Sequence, residues 1–165
     1  MIEFVLKNRR LRLYPDGKIT CRAHYRGKET KNDTWRGVSF CDDSGYLRCY
    51  LTVDGVKKHF LQHRLLHLAR NPGWDIFDGS PTNFIDHKNH DRADNSNENI
   101  RVVTSQQNQF NRSNAKGYYW NKRQRKWKAQ IKVNWKMQHL GCFEKEEDAR
   151  AAYLEAKERL HIIPP

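Results

Sequence analysis

The pattern of apolar and polar positions indicates a β-rich first third of the chain. Residues 1–60 carry short apolar runs separated by turn signals. The runs 46–53 and 56–60 lie on either side of Asp54-Gly55. They predict a hairpin with a tight turn, because Asp-Gly accepts the positive φ angles that such turns need. Residues 61–70 then change to the three- and four-residue spacing of a helix.

In the middle of the chain, two short apolar runs enclose a polar stretch. The pattern predicts strands at 84–87 and 100–103, and the residues between them are mostly Asp, Asn, Ser and His. Thr104 is the predicted N-cap of a helix that begins at Ser105. Residues 111–115, rich in Asn and Ser, are a predicted linker.

After the linker the pattern becomes strictly alternating. Residues 126–133 predict a strand with one apolar face and one face of Lys and Gln. The spacing of Ala, Tyr and Leu over 145–160 predicts a helix whose alanines allow close approach to a sheet. Segregated strands and helices of this kind indicate the α+β class.

Composition and charge limit the partners. Hydrophobic residues make up 37% of the 165 residues, which favours a modest core or two satellite cores over one thick core. The net charge of +12 favours nucleic acid as the partner, with a ribosome or an anionic membrane surface as alternatives. The basic residues concentrate in 116–143, which has no Asp or Glu and carries three tryptophans.

Nothing in the sequence predicts membrane insertion or secretion. No apolar run approaches the ~18 residues of a spanning helix, and residues 1–10 lack the features of a signal peptide. We therefore expect a cytoplasmic protein. The four cysteines form no CxxC pair, which leaves a zinc ribbon unsupported, and we expect them to be reduced and mostly buried.

The polar stretch combines the groups that a metal-dependent phosphodiesterase needs. Such an enzyme requires a carboxylate for a hard cation and a base that activates water. Asp86 and His87 are adjacent at the end of a predicted strand, so their side chains point to opposite faces. Asn99 begins the next strand, and Asn108 lies inside the following helix. A strand–loop–strand–helix of this size could bring Asn108 near Asp86.

This stretch resembles the HNH nuclease family, which has a ββα-metal fold. The matching residues are Ile85-Asp86-His87, Asp94-Asn95, Glu98-Asn99-Ile100 and Val103-Thr104 with Asn108. The resemblance implies that His87 is the general base and that Asp86 and Asn108 bind one Mg²⁺ or Mn²⁺ per active site. It implies a bracing role for Asn99. The founding family pattern has histidine where this chain has Asn108, and an amide oxygen suits Mg²⁺ better than zinc.

A helical segment upstream adds to this resemblance. His63-Arg64-Leu65-Leu66 is similar to the His-Arg-Leu-Val segment that precedes the motif in phage HNH proteins. By this resemblance Arg64 is a catalytic candidate that approaches a phosphate, and His63 is a packed polar residue near the active site. His63 and His67 have the spacing of a zinc pair, but no glutamate follows His63, so we predict no protease site.

The segment 116–161 resembles the APETALA-type (ethylene-response-factor) DNA-binding domain. The matching features are the Lys116-Gly117-Tyr118 start, the strand 127–133, Leu140-Gly141-x-Phe143 and Ala151-Ala152-Tyr153. The family has a three-stranded antiparallel sheet that packs on one helix and meets DNA. Carried over by position, the DNA contacts would come from Lys116, Tyr119, Lys126, Lys128, Gln130, Lys132 and His139. Lysines replace several family arginines, which favours phosphate anchoring over base selectivity.

Together the two resemblances predict an HNH nuclease domain at 1–112, with its ββα-metal core at about 84–112, and an APETALA-type domain at 116–163. This combination is typical of phage and mobile-element homing endonucleases. The expected substrate is double-stranded DNA, with no protein or membrane partner and one catalytic centre per chain. A monomer would nick, and a dimer could cut both strands. Two alternatives stay open: a DNA-binding regulator that has lost cleavage, and an RNA-binding protein.

Overall fold

The computed structural model describes residues 1–25, 28–30, 34–112 and 114–165. The chain divides into two compact units. The first comprises residues 1–79 with 87–101, and the second comprises 80–86 with 102–165. Within the predicted linker, Ser113 lies outside the described residues.

The first unit contains the β-rich region that the pattern predicted over residues 1–60. One antiparallel sheet contains strands β1 (Ile2–Leu6), β2 (Arg9–Leu13), β3 (Ile19–Arg22) and β6 (Trp35–Gly37). A second pairs β4 (His24–Tyr25) with β5 (Lys28–Glu29). A third contains β7 (Ser39–Cys41), β8 (Leu47–Val53) and β9 (Val56–Leu61), and helix α1 (Gln62–Arg70) follows it.

The predicted hairpin at Asp54-Gly55 is confirmed. Val53 lies opposite Val56, and the two turn residues have φ angles of 50° and 78°. Because both angles are positive, the turn follows the right-handed twist of the strands that it joins. The strand alternates as expected, with Cys49, Leu51 and Val53 buried.

Helix α1 closes the hydrophobic core of the first unit. Its buried residues Leu65, Leu66 and Ala69 pack with leucines of the sheets, among them Leu11 and Leu51. The helix ends at Arg70, the last residue of the predicted segment, and the backbone N–H of Asn71 bonds carbonyls of the last turn. This core is separate from the one in the second unit, in agreement with the low hydrophobic content.

Strands β10 (Phe84–His87) and β11 (Ile100–Val103) form a two-stranded sheet, and helix α2 (Ser105–Phe110) follows. The division between the two units falls within both strands. Thr104 is the N-cap, as predicted. Its hydroxyl accepts from the N–H of Gln107, and the Gln107 side chain accepts from the N–H of Thr104 in return.

The C-terminal module, residues 116–163, is a three-stranded antiparallel sheet packed on one helix. Its elements are β12 (Tyr118–Asn121), β13 (Lys126–Val133), β14 (Lys136–Phe143) and α3 (Glu146–Leu160). Ala129 and Ile131 are buried on the apolar face of β13, which confirms the alternation. The small side chains of Ala149 and Ala156 let α3 approach this face with Tyr153 between them.

Gly117 permits this close packing, and its replacement tests it. A Cβ atom there would lie 2.1 Å from the Tyr153 ring and 2.6 Å from the Gln130 carbonyl oxygen. We expect Gly117→Ala to lower the free energy of unfolding by about 1–3 kcal/mol through overpacking. Urea unfolding followed by tryptophan fluorescence measures this. Gly79→Ala is the control, because nothing lies within 4 Å of its added Cβ. Equal stability of the two variants would contradict the packing.

Two further expectations concern the cysteines and membranes. Cys21 and Cys49 are buried, but Cys41 and Cys142 are exposed, so the expectation that most are buried was too broad. Cys142 lies on the outward side of β14, opposite Lys128. In the described part of the chain, no helix is long and apolar enough to cross a membrane.

Candidate active site

The polar loop between β10 and β11 bonds its own backbone. The carboxylate of Asp91 accepts from the N–H of Ala93, and the carboxylate of Asp94 accepts from the N–H of Ser96. The Asn89 side chain bonds the N–H of Asp91 with its oxygen and the carboxylate of Asp94 with its nitrogen. The crowding of Asp and Asn is explained by these turns, because short polar side chains satisfy backbone donors that no strand pairs.

Asn99 ties the two ends of this loop together. Its Oδ1 accepts from the N–H of Asn89 at 3.0 Å, and its Nδ2 donates to the Asp94 carbonyl at 2.6 Å. Its own carbonyl accepts from the N–H of Lys88. These are the backbone contacts that the predicted bracing role requires, although its part in catalysis stays a prediction.

His87 is buried and held by an amide eight residues later. Nε2 of His87 lies 2.9 Å from Oδ1 of Asn95. With this amide oxygen as the acceptor, the imidazole carries its proton on Nε2, and the basic lone pair is on Nδ1. Asn95 therefore selects the tautomer of the predicted general base. From the sequence alone, Asn95 was named only as one of the residues that match the HNH family.

Two further rings surround the imidazole. His63 of α1 meets His87 edge-to-face, with ring centroids 5.0 Å apart, and Tyr46 lies 6.1 Å away. The guanidinium of Arg92 lies over the Tyr46 ring and donates to the Ser44 carbonyl. We call Tyr46, His63, His87 and Asn95 the imidazole cluster. His63 is thus packed against His87, where the upstream resemblance suggested a place near the active site.

Burial and the neighbouring charges of His87 and Arg64 lower the pKa of His63 to about 3 from 6.5. The folded protein therefore keeps His63 neutral where the unfolded chain protonates it. Stability from this group is complete above pH 6.5 and falls as the pH drops toward the folded value of about 3. The loss is up to about 1.4 kcal/mol per pH unit in that range.

We expect His63→Gln to remove much of this pH dependence. Between pH 7 and pH 5, the free energy of unfolding should fall by about 1–2 kcal/mol less in His63→Gln than in the wild type. Urea titrations at the two pH values measure this difference. His59→Gln, at an exposed position on β9, is the matched control and should behave like the wild type. An equal change in the free energy of unfolding between the two pH values in the wild type and in His63→Gln would refute the assignment of this pH dependence to His63.

Asp86, the residue before His87, is buried in the second unit. Its Oδ1 accepts a hydrogen bond of 3.0 Å from Nδ2 of Asn111, the C-cap residue of α2. We call Asp86 and Asn111 the carboxylate cluster. Sequence reasoning assigned Asn111 to the linker and missed this contact. Its spacing of three residues from Asn108 was an available signal, because residues three apart share one side of a helix.

Asn108 lies within α2, and its backbone N–H bonds the Thr104 carbonyl. The metal-ligand role of Asn108 stays a prediction. A buried carboxylate with amide oxygens on one helix is a set of hard oxygen donors, which fits Mg²⁺ or Mn²⁺. Among the described residues, no group of three His, Cys, Asp or Glu side chains could hold a metal.

Arg64, the other catalytic candidate, lies on α1. Its guanidinium donates to the Ile76 carbonyl at 2.9 Å and lies over the Trp74 ring. Burial lowers the pKa of Arg64, and Asp78 and Asp75 oppose this effect. The contact of Arg64 with a phosphate stays a prediction.

The C-terminal module presents a cationic sheet face. Tyr119 lies opposite Lys128, and Gln130 lies opposite His139, so these side chains share one side of the sheet. A bulge after Ala129 keeps His139 and Cys142 on that side. The predicted DNA-contact residues on these strands are Tyr119, Lys126, Lys128, Gln130, Lys132 and His139, with Lys116 just before β12. Their contacts with DNA stay predictions.

Comparison with known proteins adds one match. A family model described as HNH endonuclease matches residues 74–110, which include β10, β11 and α2. This match supports an HNH nuclease, a class of hydrolase that acts on DNA. No curated protein and no solved structure matches the chain.

Proposed function

We propose that the protein is a metal-dependent HNH endonuclease that hydrolyses phosphodiester bonds in double-stranded DNA. One observation carries the proposal. An imidazole whose tautomer is selected by Asn95 directly follows a buried carboxylate, inside the segment that matches the HNH endonuclease model. General-base catalysis of phosphodiester hydrolysis needs an oriented base next to a cation-binding carboxylate.

The chemistry assigned to His87 is proton removal. Nδ1 of His87 takes a proton from a water molecule, whose oxygen attacks the phosphorus in line. The bond from phosphorus to the 3′ oxygen of the preceding nucleotide breaks, and that oxygen takes a proton from solvent water to become a 3′-hydroxyl. The proton already on Nε2 bonds Asn95 and holds the ring in place while Nδ1 becomes charged. His63 stays neutral beside it and adds no competing positive charge.

Asp86 with an amide of α2 would hold the cation. A bound Mg²⁺ or Mn²⁺ supplies charge stabilisation to the phosphate and to the leaving oxygen. The hydrogen bond from Asn111 fixes the orientation of the Asp86 carboxylate. Asn99 keeps the loop that follows His87 in one conformation through its two side-chain bonds.

The C-terminal module would hold the duplex through its cationic sheet face, in the manner of an APETALA-type domain. Its charge supports phosphate contacts: Lys128 and Lys132 lie on the outward side of β13, and Lys126 forms one exposed ion pair with Glu144. Exposed ion pairs of this kind contribute little, so Lys126 can exchange Glu144 for phosphate. We further propose that this nuclease is a homing endonuclease of a phage or mobile element.

The experiment is a panel of nucleic acids incubated with the protein in Mg²⁺ and in EDTA. Supercoiled plasmid, linear duplex DNA and RNA of matched sequence are compared for binding and for cleavage. The proposal predicts cleavage of duplex DNA only with Mg²⁺. Binding of duplex DNA without cleavage would favour the regulator, and preferential binding of RNA would favour the RNA-binding alternative. Including DNA that flanks the coding locus covers a specific target site.

A further inference from the structure

Helix α2 makes contacts on two of its sides. Asn108 and Asn111 lie three residues apart on the side that reaches Asp86 through Asn111. Gln106, Gln109 and Phe110 lie on another side, and all three line the cleft between α2 and the C-terminal module. One short helix therefore contacts both the candidate cation ligand and the module that carries the cationic sheet face.

The first contact between α2 and the module is an aromatic stack. The ring of Phe110 lies parallel to His161, with centroids 3.7 Å apart and an interplanar angle of 8°. His161 follows the last residue of α3, and its Nε2 lies 3.2 Å from the Lys132 carbonyl oxygen of β13. The stack thus joins α2 to both the helix and the central strand of the module.

The second contact is made at the turn between β13 and β14. With its amide oxygen facing the turn, Gln106 accepts from the N–H of Asn134 at 2.6 Å and of Trp135 at 3.2 Å. Both neighbours are donors, which decides the amide orientation. Asn134 and Trp135 have φ angles of 50° and 63°, a left-handed pair that directs both N–H groups outward from the turn.

The Phe110–His161 stack and the Gln106 hydrogen bonds are two localised contacts, and they do not form a continuous hydrophobic core. A cleft of about 220 Å³ lies between α2 and the module. The buried core of the module contains Ile131, Tyr153 and Ala156 and does not include Phe110. Removal of one attachment should therefore loosen the docking without unfolding either part.

We propose that the docking of the C-terminal module on α2 sets the cleavage position. The Phe110–His161 stack and the Gln106 bonds hold the cationic sheet face at a fixed distance from the carboxylate cluster. DNA held by the sheet is then cut at a fixed distance from its binding segment. His161 and Gln106 are positioning residues that act through α2. This inference rests on the proposed nuclease function.

The test compares the cleavage positions of His161→Ala, His161→Phe and the wild type. Cut ends from a plasmid bearing a cleaved site are mapped by sequencing. Loss of a stacked pair shifts the ratio of docked to undocked protein by up to about tenfold. We expect His161→Ala to spread the cuts over neighbouring positions while duplex affinity is retained. His161→Phe keeps an aromatic ring on Phe110 and should restore the single position. His59→Ala, at an exposed histidine of β9, is the matched control.

Hydrogen exchange of the metal-free protein gives a readout that does not depend on cleavage. The backbone amides of residues 106–111 should exchange faster in His161→Ala, by up to about tenfold, and return to wild-type rates in His161→Phe. Unchanged exchange together with an unchanged cut position in His161→Ala would overturn the inference. If the wild type cuts no DNA, the nuclease proposal fails. In that case, unchanged hydrogen exchange in His161→Ala would show that the stack does not dock the module on α2. Faster exchange would support the docking independently of the nuclease function.

Discussion

Replacement of His87 with alanine is expected to slow DNA cleavage by about 10²–10⁴-fold, the usual contribution of a general base. The imidazole of His87 is held by a hydrogen bond of 2.9 Å from Nε2 to Oδ1 of Asn95. His63 cannot replace it, because burial keeps the pKa of His63 near 3 and its ring packs edge-on against His87. The measurement is the single-turnover rate at saturating protein.

The matched control is His90→Asn, in the same loop. His90 is exposed and has a φ of 67°, a left-handed conformation that asparagine accepts with little strain. We expect this variant to cleave at nearly the wild-type rate. Duplex affinity of His87→Ala should stay at the wild-type value, since His87 is buried and its loss removes no surface cation. A His87→Ala protein that still cleaves at the wild-type rate would remove the proposed base.

The second large effect is expected at Asp86. The isosteric change Asp86→Asn keeps the shape of the side chain and removes its negative charge. Changes around a metal ligand cost about 10–100-fold in affinity, and we expect removal of the carboxylate itself to exceed that range. Calorimetric titration with Mn²⁺ measures binding without DNA, and cleavage should be lost in parallel. Wild-type affinity for Mn²⁺ in Asp86→Asn would exclude Asp86 as a ligand.

Two amide variants separate ligation from orientation. The HNH resemblance assigns the second ligand to Asn108, whereas the structure joins Asn111 to the Asp86 carboxylate. Asn111→Ala removes the bond that orients Asp86, for which we expect a loss of about 10–100-fold in Mn²⁺ affinity. Asn108→Ala should cost at least as much if its amide oxygen binds the cation. A larger loss of Mn²⁺ affinity in Asn111→Ala than in Asn108→Ala would indicate that Asn111 is the second ligand.

Local signals in the sequence predicted the elements well. The Asp54-Gly55 turn and the Thr104 N-cap depend on backbone preferences of a few neighbouring residues, so they could be predicted without tertiary contacts. The alternation over 126–133 depends only on which side of one sheet is covered. Helix α2 ends at Phe110, where the predicted linker begins, and its C-cap residue Asn111 bonds Asp86.

The candidate site was only partly predictable. Asp86, His87 and Asn99 were selected by their types and spacing, but their partners depend on the path of the loop. Asn95 reaches Nε2 of His87 because successive Asx turns fold the loop back on itself, and no periodicity in the sequence reports this path. The contact of Phe110 with His161, far along the chain, could not be predicted from either local pattern.

The central claim is that this chain hydrolyses the backbone of duplex DNA with a divalent cation and His87. The most direct measurement is incubation of supercoiled plasmid in ¹⁸O-labelled water with wild-type protein in Mg²⁺ or EDTA, followed by analysis of the cut ends. His87→Ala is prepared in parallel. The account predicts 3′-hydroxyl ends and 5′-phosphates that carry the label, only with the wild type and Mg²⁺. Duplex binding without any cut, cutting that persists in EDTA, cutting at the wild-type rate in His87→Ala, or unlabelled 5′-phosphates would contradict it.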